Sequence, residues 1–371
     1  MDHSNHNELV NIIRLIRSEN IGAKTFWNLI DIYQTATNAL EHVAQLSLRG
    51  GKDKPIKIFS KSQAEDEIAA CIKSNIKILS YLDSDYPILL KNIDDHPPLL
   101  FCLGNTSLLN GSTVAIVGSR NASINGIRFS FKLAKDLSEQ KQVVVSGFAR
   151  GIDSAAHKAS VDFATIAVLA GGVDHIYPPE NAELYQQIAE KGLIIAELPL
   201  GSIPKAQNFP QRNRIISGIS NGVAIIEASL KSGSLITARL ALQQNRELFV
   251  VPGFPLDPHY HGNNYLLKQG AYLLESAEDI LEILNSSKIK RSALFEQGEK
   301  FLNAPKASFL EKELTQARIE LINLVGASPS SIDEIISITQ LPAGAILTAI
   351  VELELAGRIV RHFGNQISIK L

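Results

Sequence analysis

Two short segments concentrate the side chains best suited to holding phosphate. Asn208-Phe209-Pro210-Gln211-Arg212-Asn213-Arg214 sets two guanidiniums beside an amide and an aromatic ring. Lys231-Ser232-Gly233-Ser234 follows the apolar run GVAIIEAS (222–229) and precedes ITARLALQQ, which reads as a helix. Arginine's planar fork matches phosphate oxygens two at a time, and the free N–H groups of a helix start attract an anion. From Leu198 to Arg246 the cations are Lys205, Arg212, Arg214, Lys231, Arg239 and Arg246, and the only acid is Glu227. Six cations against one acid leave +5 in a chain whose net charge is −2. Any anion-binding surface must therefore be local, because the whole chain is not basic.

Further glycines sit where apolar runs end: Gly118, Gly147, Gly171 and Gly172. Each either makes a tight turn or lets a backbone N–H come close to an anion. Several such turns along one sheet edge suit a ligand with several phosphates. The first turn, Gly118-Ser119-Arg120-Asn121-Ala122-Ser123, keeps only the first glycine of G-x-G-x-x-G, so a dinucleotide is not supported. Phe209 reads either as core or as a platform for an unpaired base. Asp153 and His157, four apart, are either an acid–base pair or a helix cap with a locally bonded histidine. Walker A, HExxH and GxSxG motifs are all missing, and Cys71 and Cys102 have no metal-ligand spacing. No catalytic residue, metal or cofactor is expected.

The elements that position these residues follow from periodicity. The runs TVAIVGS (113–119), QVVVSG (142–147), TIAVLAGG (165–172), GLIIAELP (192–199), GVAIIEAS (222–229), ELFVVPG (247–253) and AYLLES (271–276) are continuously apolar, as strands buried on both faces are. Their spacing leaves room for crossover helices, which predicts a Rossmann-like parallel α/β core over residues 79–284. Residues 1–78 read as a small helical domain, broken at Asn20-Ile21-Gly22. It is either an ordinary bundle or of the SAM or helix-hairpin-helix kind. A linker is expected over 285–310, then three helices and a hairpin about a Gly-Asn turn over 311–371, the pattern of a winged helix. MDHSNHNELV lacks the layout of a secretory signal, and no apolar run approaches the roughly 18 residues of a membrane span. Two cysteines fit a reducing compartment, so a cytoplasmic protein without membrane contact is expected.

Taken in order, VAIVGSRNASING, VVVSGFARGIDSAAH, IAVLAGGVDHIYPPENAEL, AELPLGSIP, NFPQRNRIISGISNGVAIIEAS, SGSLITARLALQQNRELFVVPG and HGNNYLLKQGAYLL resemble the DNA-processing protein A (DprA/Smf) family. The resemblance spans roughly 113–275, with weaker likeness in SDYPILLKNIDDHPPLLFCLGN. It implies a non-enzymatic protein that binds single-stranded DNA, dimerises through the Rossmann-like domain and assists loading of the RecA recombinase in DNA uptake and recombination. Carried over, it implies phosphate contact from Arg120 on a turn with Gly118 and Ser119, and Gly147 and Arg150 on the next. Phe209, Arg212, Asn213 and Arg214 would hold the strand, with Ser232, Gly233 and Ser234 as a further anion turn. Lys205, Lys231, Gly171 and Gly172 are added more loosely. Ala170, Ala196, Leu198 and Asn263 depart from the family's usual residues, mostly in turns. The competing reading is a Rossmann-like nucleotide hydrolase of the phosphoribohydrolase type. It would want a carboxylate in the last glycine turn, yet none lies between Glu227 and Glu247.

One expectation concerns the tail alone. A groove-reading third helix should be basic, whereas Pro342–Gly357 holds Glu352 and Glu354 and no Lys or Arg. The tail is expected to contact protein, or the rest of its own chain, rather than duplex DNA.

Overall fold

The computed structural model describes residues 3–295, 311–362 and 364–370. The chain divides into two compact units: Glu67–Phe301, and a second made from both ends, Met1–Asp66 with Leu302–Leu371.

The N-terminal share of the end-built unit holds α1 (His3–Arg17), α2 (Ala23–Tyr33) and α3 (Ala36–Arg49). The expected break falls between α1 and α2, with Asn20 in the left-handed region at φ 60°. Helix α3 opens on Thr35, whose hydroxyl accepts from Asn38 N at 3.1 Å. It buries Ala36, Ala39, Leu40, Val43 and Leu46, the spacing of one helix face. After it, α4 (Lys61–Lys73) leads towards the larger unit.

The larger unit runs β1 (Lys77–Ser80), α5 (Ile88–Lys91), β2 (Leu99–Gly104), β3 (Thr113–Val117), α6 (Ile124–Glu139), β4 (Val143–Ser146), α7 (Ile152–Ser160), β5 (Thr165–Val168), α8 (Ala182–Lys191), β6 (Leu193–Ala196), α9 (Asn208–Gly218), β7 (Gly222–Ile225), α10 (Ser234–Gln243), β8 (Glu247–Val250), α11 (His261–Lys268), β9 (Tyr272–Leu273) and α12 (Ala277–Phe295). Among the described residues its sheet has nine strands in the order β1-β2-β6-β5-β4-β3-β7-β8-β9. Each of the seven apolar runs forms one of the strands β3–β9, and these pair in parallel. The alternation of strand side chains feeds two cores. Val114 and Ile116 face Leu133, Ala134 and Ile152 of α6 and α7, while Ala115 and Val117 face Ile215, Ile216 and Ala238 of α9 and α10. Helices therefore cover both faces, which is why these strands are apolar throughout.

Two details differ from expectation. β1 and β2 extend the sheet in antiparallel fashion beyond β6, so it is not purely parallel. Helix α12 continues to Phe295, ten residues into the expected linker, and 296–310 lies outside the described residues.

The chain's C-terminal share of the end-built unit contains α13 (Glu311–Leu324), β10 (Ser330–Ser331), α14 (Ile332–Thr339), α15 (Ala343–Leu355), β11 (Ile359–His362) and β12 (Gln366–Ile369), with strand order β10-β12-β11. This is a winged helix, and its third helix is α15. That helix is buried on nearly every side: Ala345, Ile346, Ala349, Ile350, Val351, Glu352, Leu353 and Leu355. A helix apolar all round belongs in an interior. One side packs on α13 and the other on α2 and α3 of the N-terminal helices. Asn20 Nδ2 donates to Leu355 O at 3.0 Å. Gly50 closes the contact, since a Cβ there would lie 2.0 Å from Glu352 O and 2.5 Å from its carbonyl carbon. The acids noted in the sequence face inward too. Glu352, fully buried, accepts from Arg318 Nε at 2.6 Å and Nη2 at 3.1 Å, and Glu354 lies 3.5 Å from Arg361.

Candidate nucleic-acid interface

The chain steps from β3 outward through β4, β5 and β6, then returns to the other side of β3 with β7, β8 and β9. A crevice opens beyond the carboxyl ends of the strands where the winding reverses in this way, and ligands of open α/β sheets bind there. The cleft found at that point has a volume of about 400 Å3. The turn after β3 contributes Gly118, Ser119, Arg120 and Asn121, and the turn after β4 gives Ala149 and Asp153. The start of α9 gives Phe209, Arg212 and Asn213, and the turn into α10 gives Ser232, Gly233 and Ser234.

Arg120 is exposed, and its guanidinium carbon sits 5.0 Å from the centre of the Phe209 ring. Phe209 is only half-buried, so of its two readings the structure takes the one in the cleft wall. At the opposite wall Ser232 Oγ and Ser234 Oγ lie 2.6 Å apart, and Asn213 Nδ2 reaches Gly233 O at 3.5 Å. These contacts set the α10 N-terminus at the cleft with its free N–H groups pointing outward.

Arg212 forms the floor. Its Nη1 donates to Gly147 O at 2.6 Å and to Val168 O, and Asp153 supplies the counter-charge. Gly147 permits this arrangement, because a Cβ there would come within 2.8 Å of both Arg212 Nη2 and Asp153 Oδ2. Burial pulls the Arg212 pKa down to about 10 despite Asp153. Burial likewise lifts Asp153, against the pull of Arg212 and of the Ala149 N–H at 3.2 Å. Asp153 is thus committed to Arg212 and the turn, not to His157.

His157 is fully buried, with Nδ1 2.8 Å from Thr165 Oγ1. Burial, with help from the Arg212 charge, pulls its pKa down to about 3 from an ordinary 6.5. As pH falls below 6.5 the unfolded chain gains a proton that the folded chain refuses until about 3. Stability from this group is therefore complete above 6.5 and lost through that window. His157→Gln should flatten the acid side of the stability curve there, measured as urea midpoints against pH. Coincident slopes in the two proteins would show that the imidazole is not held neutral.

Three expected site residues are placed elsewhere. Arg214 points away from the cleft. Its Nη2 contacts both oxygens of Glu197 at 2.7 Å and its Nε lies 3.3 Å from Asp95, with only 6 % of the side chain exposed. Its charge is neutralised inside the fold. Gly171 and Gly172 are covered by the chain at 199–204: Gly172 N donates to Ser202 O at 2.9 Å, and a Cβ on Gly171 would lie 2.6 Å from the same oxygen. Their amides cannot serve an anion. Lys205 and Lys231 are exposed but do not line the cleft, and Arg150 stands at its edge, 3.7 Å from Glu180. The surplus of +5 shrinks accordingly, because Arg246 is also buried, donating to Leu89 O at 2.7 Å and Gly218 O at 3.0 Å.

Glu227 closes the site that a dinucleotide would use. Buried completely, it accepts from Ser123 N at 2.9 Å and from the Ser123 hydroxyl at the start of α6, and from Tyr260 OH at 3.0 Å. A carboxylate already occupies that helix N-terminus. Asn263 ties the ends of β7 and β8 together, accepting from Ala228 N at 2.7 Å and donating to Ile226 O at 2.9 Å and Val251 O at 2.8 Å. Among the described residues no helix is long and apolar enough to cross a membrane, and no three metal-ligating side chains cluster.

Residues 77–285 match the sequence model of DNA recombination-mediator protein A, more than half of the chain. The chain belongs to that family. Residues 6–70 match the family's N-terminal helix-hairpin-helix domain and 305–365 its winged-helix domain. Protein Smf of Escherichia coli is 36% identical over 319 residues, covering 84% of this chain and 82% of Smf. The DNA processing protein DprA of Bacillus subtilis is 42% identical over 231 residues, 62% of this chain and 78% of its own. Of solved structures, DprA from Streptococcus pneumoniae aligns with a TM-score of 0.62 at 32% identity, covering 73% of this chain and 95% of its own. DprA from Helicobacter pylori, solved to describe its single-stranded DNA binding mode, aligns at 0.53 and 32%, covering 57% and 96%.

Proposed function

We propose that this member of the family binds single-stranded DNA in the cleft beyond β3 and β7, as a recombination mediator and not as an enzyme. The observation that carries the proposal is the pairing of Arg120 with Phe209 at 5.0 Å between two anion-ready turns, 118–121 and 232–234. A guanidinium beside an aromatic face and free N–H groups fits a strand that offers phosphates and unpaired bases together. The likeness to the H. pylori protein, whose single-strand binding was described, supports the same ligand. Assistance to the RecA recombinase, a homodimer formed through the core, and action in the cytoplasm complete the reading and rest on family membership.

The test is a titration against fluorescent single-stranded and duplex DNA at several salt concentrations. Phosphate-dominated binding predicts a linear fall of log K with log salt, by about 0.7 in slope for each phosphate neutralised on a single strand. Arg120→Ala should weaken single-strand binding about tenfold or more, the loss of one charged hydrogen bond, and make the slope shallower by about that 0.7. Equal affinity for duplex and single strand, or indifference to Arg120→Ala, would remove the site. Release of base or phosphate during the titration, abolished by Asp153→Asn, would favour the hydrolase instead.

A further inference from the structure

Beside the cleft, and sharing Arg120, Ala149 and Phe209 with it, lies a second recess of about 170 Å3. Its remaining walls are Gly147, Arg150 and the segment Tyr177-Pro178-Pro179-Glu180. The Tyr177 ring stands 5.7 Å from Phe209, tilted by 59°, and 46% of the residue is exposed. The two rings thus make an angled, open-mouthed slot. At under the roughly 300 Å3 of a pocket that encloses a drug-sized ligand, the recess suits one flat ring system and not a whole nucleotide.

The wall is firmly held. Asn181, buried just after Glu180, donates from Nδ2 to Phe148 O at 3.0 Å and to Ser154 Oγ at 2.9 Å. Those bonds fasten the Tyr177 segment to the same turn, 147–149, that floors the recess. A platform fixed before the ligand arrives costs little ordering when it binds.

Charge decides which part of a nucleotide enters. The cleft beyond Arg120 offers hydroxyls, amides and helix N–H groups, and its single carboxylate, Asp153, is committed to Arg212. The recess instead carries the Glu180 carboxylate at its mouth, balanced only by Arg150 at 3.7 Å. A carboxylate repels a phosphate and accepts from the N–H groups that base edges present. We infer that the recess takes a single base, turned out of the strand and laid against Tyr177, while its phosphate stays in the cleft by Arg120. The inference rests on the proposed single-strand binding and adds Tyr177 as a base platform and Glu180 as an acceptor for the base edge.

The test crosses protein and strand. Tyr177→Ala and the unaltered protein are each titrated with a dT oligonucleotide and with an abasic strand of equal length. Stacking of a base on an aromatic ring predicts at least about a fivefold loss for Tyr177→Ala on the intact strand. On the abasic strand the same substitution should change nothing, and Tyr177→Phe should keep the full affinity on both. An equal loss on both strands, or no loss on either, overturns the base platform. Failure of the unaltered protein to bind any single strand overturns the proposed function instead, so the two failures are distinct. Thermal unfolding of Tyr177→Ala, expected unchanged at this exposed position, confirms that the comparison is between folded proteins.

Discussion

Arg214→Ala should cost about 3 kcal/mol or more of folding stability and leave single-strand affinity untouched. The side chain is 6% exposed and faces Glu197 and Asp95, themselves 24% and 39% exposed. Removing one partner of a buried ion pair typically costs about 3–5 kcal/mol, because the remaining charge is stranded. Here the lower end applies, since water reaches both carboxylates and relieves part of the penalty. Burial also opposes the charge of Arg214, but the two acids win and raise its pKa. Arg214→Lys should recover little, because an ammonium cannot span Glu197 and Asp95 with a planar fork. Urea unfolding checks the first half of the prediction and titration of the folded protein with single strands the second. A variant of normal stability that binds DNA poorly would return Arg214 to the cleft. Arg120→Ala is the mirror image, with affinity lost and stability kept, and the pair separates the two roles that the sequence placed side by side.

Gly50→Ala should loosen the contact between the helices at the two ends of the chain. With φ at −70° the backbone of Gly50 accepts any residue, so only space is at issue. An added methyl would need more than an ångström of movement from the Glu352 carbonyl, and the main chain of a packed helix yields poorly. Overpacking of this kind costs about 1–3 kcal/mol, and Gly50→Val should cost more. Trp27 is the only tryptophan and lies in α2, against which α15 packs. Its emission therefore reports this unit without a contribution from the sheet. Its unfolding midpoint should fall while the transition of the larger unit, followed by calorimetry, stays in place. If the Trp27 transition does not move, α15 is not seated on these helices in solution. The absence of Lys and Arg from α15 adds that releasing it should not create a duplex-DNA reader.

The legible parts of the fold were those that depend on local patterning. Seven strands announced themselves because burial on both faces forces Val and Ile at successive positions. β1 and β2 were missed, since an antiparallel pair added at one side does not follow the strand–crossover rhythm of the rest. At the site, the turns at 118–121 and 232–234 could be found from glycine and serine placed at strand ends. The direction of an arginine could not. Arg212 and Arg214 are two residues apart in a short helix and point to different places, one into the cleft floor and one towards acids outside it. Glu197 sits one residue before the stretch whose charge was counted, and Asp95 lies far upstream, so only tertiary structure reveals that half of the six cations are already used. Tyr177 escaped notice for a similar reason, because nothing local tells an exposed ring in a loop that it faces Phe209.

The unit assembled from both ends of the chain sets an order of events during synthesis. Some three hundred residues separate α3 from α15. At ordinary elongation rates, the α3 surface waits on the order of fifteen seconds to a minute for its cover. Throughout that interval the sheet can form while the first helices remain incomplete on the nascent chain. A message cut short anywhere before α15 would yield a finished sheet attached to helices with an open apolar flank. Ribosome and chaperone, rather than the folded molecule, then meet that flank first.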